Sequence, residues 1–182
     1  MGAGTKIASV VLRVFECACA IVVTAILGRY IYYVDLANAH AGSRVVYTLS
    51  IACISILFSI LLGLFTKYSF WLFPVDFALF ICWMTAFGLL RGLTGGHGCN
   101  SYWYWHSWGF FWGRWWRTVP ITRASGAIVG RSACGVWESV LAFSFIGGFL
   151  WLINGIIGVV MFLKEGLKKP MRRSEMGSVE NK

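Results

Sequence analysis

The chain has 182 residues, 58% of them hydrophobic and 13% charged, with a formal net charge of +9 and a mean hydropathy of +0.71. A soluble domain carries charge on about a quarter of its residues, so water alone is excluded as the solvent. The basic residues are scattered over segment ends and one tail with no recognition motif around them, which argues against nucleic acid as a partner.

Four apolar stretches follow one another at 7–27, 45–65, 70–90 and 139–163. Each reaches the roughly 20 residues a helix needs to cross a bilayer, and none alternates apolar with polar positions as a barrel strand does. The reading is an all-α membrane protein: a four-transmembrane-helix bundle at 7–163 with helices at about 7–28, 45–65, 70–90 and 136–163.

The first stretch is too long for the apolar region of a signal peptide and carries Arg13 and Glu16, so it reads as a retained helix. Even on the translocon scale a lone charge at a helix centre costs about 2.5–3.5 kcal/mol, so charges in or beside the spans are expected to have partners. Arg13 and Glu16 are three apart on one helix face and can pair. The connection 30–44, with Asp35, Asn38, His40 and Gly42, reads as a loop. A tight turn, Thr66-Lys67-Tyr68-Ser69, then leads to the third helix, where Pro74 and Asp76 suit a first turn. Arg13 and Asp76 fall at the same depth, which predicts a contact between the first and third helices.

The connection 90–135 is about twice as long as such loops need to be. It opens with Gly92, Gly95, Gly96 and Gly98 around His97, without the strand, helix and Lys-Ser/Thr of a phosphate loop. Six of the ten tryptophans follow, and Trp105, Trp108, Trp112 and Trp115 are spaced three, four and three apart, so one helix face could carry all four. Such a face suits the bilayer interface. It reads first as an anchor for the loop and second as a patch for a sterol, a lipid headgroup or a protein partner. Cys99 and Cys134 flank the aromatic run and are expected to form a disulfide, a closure contributing roughly 3–4 kcal/mol in the chain-entropy model. Cys17 and Cys19 point apart on a helix and cannot bridge, while Cys53 and Cys82 read as buried apolar side chains. His97, Cys99 and His106 lack the spacing and the fourth ligand of a zinc site. No metal, cofactor, catalytic residue or small-molecule substrate is expected.

The last helix begins near Glu138, which is expected to face Arg91 or Arg29. Gly147, Gly148, Gly155 and Gly158 with Ser144 provide a small-residue stripe for close packing, either inside the bundle or between protomers. Asn154 is the strongly polar residue deep in this helix. The tail 164–182 is expected to be disordered and cytosolic, with Lys168, Lys169, Arg172 and Arg173 touching anionic headgroups at about 1 kcal/mol per charge. Four crossings return the N-terminus to the cytosol and place the Trp-rich loop outside it. The six lysines fall on the cytosolic side, whereas seven arginines fall opposite, several in a long loop that the positive-inside rule discounts.

Arg13, the 74–90 segment with Val75-Asp76-Phe77 and Trp83-x-x-Ala86-Phe87-Gly88, the run from Cys134-Gly135-Val136-Trp137-Glu138 to Phe145, and Trp151-Leu152-Ile153-Asn154-Gly155 through Gly158 together resemble fungal MARVEL-domain proteins, over 7–163. The resemblance implies a four-helix bundle with cytosolic ends, without catalysis, in the plasma membrane or a secretory-pathway membrane. Its work would be organising lipid or protein domains and assisting membrane apposition and vesicle traffic, with membrane lipids, itself or other membrane proteins as partners. The competing readings are a small ion- or proton-coupled transporter using Glu16, Asp76 and Glu138, and a membrane enzyme using Cys99 or the loop histidines.

Overall fold

The computed structural model of the chain describes the backbone of residues 3–64 and 72–180, and the side chains of residues 4, 7–63 and 72–164. In chain order come α1 (Ala3–Leu36), α2 (Ser43–Leu64), α3 (Phe73–Thr94), the short α4 (Tyr102–His106), α5 (Trp108–Trp112) and α6 (Gly126–Val129), and the long α7 (Cys134–Glu180), with 3-10 turns between the short helices. No strand occurs among the described residues. Four segments are long and apolar enough to cross a membrane: Ile7–Leu36, Ser43–Gly63, Phe73–Asn100 and Cys134–Lys164.

The buried positions of these four helices recur at alternating intervals of three and four. On α1 they are Ser9, Arg13, Glu16, Ala20, Val23, Leu27, Tyr30 and Val34; on α3, Asp76, Leu79, Trp83, Ala86 and Leu90. Val45, Thr48, Ala52, Ser55, Ser59 and Leu62 make the same stripe on α2, as do Trp137, Val140, Ser144, Gly147, Trp151, Asn154, Gly158 and Met161 on α7. A mean period of 3.5 is the spacing that keeps one seam facing neighbouring helices along a close-packed bundle. The outward positions are large and apolar, including Ile7, Val14, Leu57, Ile81, Ile153 and Leu163.

Packing runs around a ring: α1 touches α2, α2 touches α3, α3 touches α7 and α7 closes on α1. The small residues of α7 point into this ring, which settles the choice left open by the sequence. A side chain grown on Gly155 would meet the Phe77 ring at 3.2 Å, and one on Gly147 would meet Cys19 at 3.5 Å. Between α2 and α3 the Trp83 indole donates to Ser55 Oγ at 2.9 Å.

Several boundaries differ from the sequence reading. α1 runs eight residues past the expected end near 28, because Tyr30 and Val34 continue the seam. It stops where Asn38 takes a left-handed φ of 53° and the amides of Ala39 and Asn38 donate to the carbonyls of Val34 and Asp35, a Schellman termination. The expected loop 30–44 thus shrinks to 37–42. At the other end, α7 continues as helix to Glu180 where a disordered tail is expected from 164; the helix formers Lys, Glu, Arg and Met recur there. The turn at Thr66–Ser69 lies outside the described residues. Cys53 is exposed on the outer face and Cys82 half-buried, so neither is the core side chain that its composition suggests.

Candidate functional site

Near the chain-terminal end of the bundle, the seam positions of three helices carry polar groups instead of apolar ones. Arg13 on α1 donates through one terminal nitrogen to Glu16 Oε2 at 2.9 Å and through the other to Asp76 Oδ1 on α3 at 2.6 Å. α1 and α3 sit diagonally in the ring, so the second bond crosses the centre of the bundle. From α7, Asn154 Nδ2 donates to Glu16 Oε1 at 2.6 Å, and its carbonyl oxygen accepts from Ser9 Oγ at 3.3 Å. The guanidinium also lies over the Trp151 ring, 4.8 Å from its centroid, which adds a cation–π attraction.

Burial is nearly complete, with Arg13 4% exposed and Glu16 and Asp76 each 1%. One guanidinium facing two carboxyl groups uses its rigid fork in the way that favours Arg over Lys. Asp76 reaches this position because Pro74 starts α3 just before it and places the acid in the first turn. The arrangement can hold three helices in register, with both terminal nitrogens of Arg13 engaged and its Nε without a partner.

The expected Arg13–Asp76 and Arg13–Glu16 pairs are therefore present, and Glu138 stands apart. Glu138 is exposed and forms no ion pair among the described residues, with neither Arg91 nor Arg29; Arg29 instead donates to Tyr33 Oη at 3.0 Å. The sequence marked Asn154 as polar but did not connect it, Ser9 or Trp151 to the cluster. The three-four stripe is the signal that joins them, since 9, 13 and 16 continue one seam and 151 and 154 another.

At the opposite end the long loop folds down onto the bundle. Cys99 and Cys134 are joined as a disulfide, with their Cα atoms 5.8 Å apart, tying the end of α3 to the start of α7. The four tryptophans expected on one helical face do not share a helix. Ser107, at φ −133° and ψ −85°, breaks α4 from α5, and Gly113 with the left-handed Arg114 ends α5 before Trp115. Trp108 is 0% exposed, stacked 4.8 Å from Tyr30 and packed edge-on at 4.8 Å against Trp137. Its indole nitrogen donates to the Ala133 carbonyl at 3.2 Å. Trp105, Trp112 and Trp115 are half-buried, so the aromatic run is in part the plug of the bundle and not one interfacial stripe.

Tyr104 donates its hydroxyl to the Ser132 carbonyl. Burial pushes that phenol up to about 12, against the attraction of Arg131 and with the help of the Glu138 charge. Arg114 reaches the Tyr33 hydroxyl at 3.0 Å, joining the loop to α1 beside Arg29. His106 Nδ1 lies 3.0 Å from the Tyr102 carbonyl oxygen with its ring stacked on Tyr102, and neither it nor His97 joins Cys99 in a cluster of ligand spacing. Among the described residues the group with such spacing is Cys99, Cys134 and Glu138, whose sulfurs are bonded to each other. Lys168, Lys169, Arg172 and Arg173 lie on the continued α7 backbone, with side chains outside the described residues.

No known family model, no curated protein and no solved structure matches the chain.

Proposed function

We propose that this chain is a non-enzymatic, multi-pass membrane scaffold of the MARVEL kind, which organises lipids and proteins around it through its outer surface and its loops. The observation that carries the reading is the fate of its buried ionisable groups. Arg13, Glu16 and Asp76 are each engaged by a partner on another helix or on their own, as befits groups that fix a bundle in place. A transporter would instead keep such groups on a path between two compartments, and Glu138 lies at the far end of the bundle from the other two acids. The disulfide-held loop, packed onto Tyr30 and Tyr33, supports a rigid outer cap for contacts with lipid headgroups or other membrane proteins. The termini and the basic end of α7 face the cytosol in this reading.

Reconstitution tests it. Purified protein in two-phase giant vesicles is expected to change the size or distribution of lipid domains, while leaving sealed vesicles without flux under a pH gradient or a voltage. A gradient-driven flux that disappears in Asp76→Asn would overturn the scaffold in favour of transport.

A further inference from the structure

We propose that the cavity at the loop end of the bundle, between the start of α2, the end of α3 and the Trp-rich loop, binds a phosphate ester, with Arg44 and the Tyr30 hydroxyl as its principal partners. The proposal rests on the packing of this end of the chain and not on the scaffold reading, so either can fail without the other.

The cavity holds about 420 Å³, and its walls include Tyr30, His40, Ser43, Arg44, Trp103 and Ser107. That volume is within the ordinary range for small-molecule sites. His40, Ser43 and Arg44 are exposed at the rim, whereas Tyr30 is 3% exposed. The Tyr30 ring is fixed by its stack on Trp108 and by an edge contact with Phe111, 6.2 Å between centroids. Its hydroxyl has no hydrogen-bond partner among the described residues and is not one of the polar atoms sealed from solvent, so it opens on the cavity that Tyr30 lines. A hydroxyl on so buried a side chain ordinarily has a partner; here the place for one is inside the cavity.

Arg44 brings a charge that nothing around it cancels. Arg29, Arg114 and Arg117 at the same end lie over aromatic rings, but Arg44 has neither a ring contact nor an ion pair among the described residues. Its side chain crosses from α2 towards α3, where a terminal nitrogen lies 3.6 Å from the point a Gly92 Cβ would occupy. The start of α2 adds to this charge. The amides of Val45 and Val46 both donate to the Gly42 carbonyl, which leaves those of Ser43 and Arg44 without a backbone acceptor at the positive end of a 22-residue helix. No acid is among the described residues that line the cavity. Asp35, the acid closest in sequence, is exposed and forms no ion pair among the described residues.

The chemistry of the ligand follows from these walls. The Arg44 guanidinium, the hydroxyls of Tyr30, Ser43 and Ser107, and the first amides of α2 all donate, so their complement is an anion rich in acceptors. A phosphate ester, with more acceptor oxygens than a carboxylate, serves more of these donors at once. The cavity is larger than a phosphate group alone, and the organic part of an ester fills the remainder against Trp103 and Phe111. A cation would meet Arg44 with no acid to offset it. The cavity lies where α1, α2 and α3 leave their apolar spans, so the ester is either a phospholipid headgroup or a soluble molecule, and the two are separable by experiment.

The test uses the full chain in lipid-free detergent, titrated with dilauroyl phosphatidic acid and, separately, with glycerol 3-phosphate, and read by native mass spectrometry and thermal unfolding. Saturable binding of a single ester per chain is expected, with a raised melting temperature. Binding of phosphatidic acid without glycerol 3-phosphate assigns the lipid headgroup; binding of glycerol 3-phosphate at comparable strength assigns the soluble ester. Arg44→Gln should weaken binding at least tenfold. Tyr30→Phe keeps the ring and its stack on Trp108. It should weaken binding roughly fivefold, the equivalent of one hydrogen bond, while leaving the melting temperature of the ligand-free protein unchanged. Gly92→Leu places a side chain in the cavity beside Arg44 and should abolish binding. Arg123→Gln removes an exposed charge from the same end outside the cavity and should have no effect. Equal weakening by Arg123→Gln and Arg44→Gln means general attraction to a basic surface and overturns the site, as does a Tyr30→Phe protein that binds like the parent. Laurate binding as tightly as phosphatidic acid overturns the phosphate assignment, and binding of neither ester overturns the proposal.

Discussion

Arg13 holds two carboxyl groups and lies over an indole ring, so its removal does more than delete one ion pair. Arg13→Met leaves Glu16 and Asp76 buried without a cation, a change expected to cost about 3–5 kcal/mol. Adding Glu16→Gln and Asp76→Asn should restore more than half of that loss, because neutral amides can hydrogen-bond to each other and to Asn154 without a counter-charge. Thermal unfolding in mild detergent reads both effects. A triple variant no more stable than the single one would show that the charges themselves, and not their imbalance, hold the three helices. At this scale the sequence was informative: charges inside apolar stretches announce themselves, and the depth of Arg13 and Asp76 was enough to pair them. Glu138 misled because a position near the helix end resembles a buried one in the one-dimensional pattern, although there the side chain reaches water or headgroups at little cost.

The helices were legible as lengths but not as faces. In water, apolar residues mark the inward side of a helix; here both sides are apolar, and the inward stripe is marked by Ser9, Thr48, Ser55, Ser144, Asn154 and the buried tryptophans. Reading for polar and small residues at three-four spacing would have recovered the seam that hydropathy concealed. The loop was harder, since Trp105, Trp108, Trp112 and Trp115 fit a helical template that Ser107 and Arg114 break with local backbone geometry. Close approach of α7 to α3 makes its own prediction. Gly155→Leu must displace the Phe77 ring, 3.2 Å from the new Cβ, and the Asp76 Cβ at 3.4 Å. It should lower stability by about 1–3 kcal/mol, the usual cost of overpacking, whereas Gly88→Leu should be nearly neutral. Melting temperatures of the two variants, measured side by side, read what the close approach at Gly155 contributes.

For the whole molecule, the proposed four crossings would put the 37–42 loop and the Trp-rich cap in one compartment and the termini in the other, with the termini cytosolic. Single cysteines placed at the exposed positions Asn38 and Arg123 should react with an impermeant maleimide on intact cells, and one at Lys164 only after permeabilisation. The reverse pattern would invert the orientation and put the Cys99–Cys134 bond in a reducing compartment, where it would not persist.

The polar cluster also sets an order of events during synthesis. Its members leave the ribosome in three instalments: Ser9, Arg13 and Glu16 with α1, Asp76 with α3, and Trp151 and Asn154 with α7. Until the third helix arrives, Arg13 has a single acid on its own helix; until the last arrives, one Glu16 oxygen lacks its amide donor. A chain stalled before α7 therefore displays an unfinished polar surface in the bilayer, the kind of mark by which membrane quality control distinguishes a nascent bundle from a completed one.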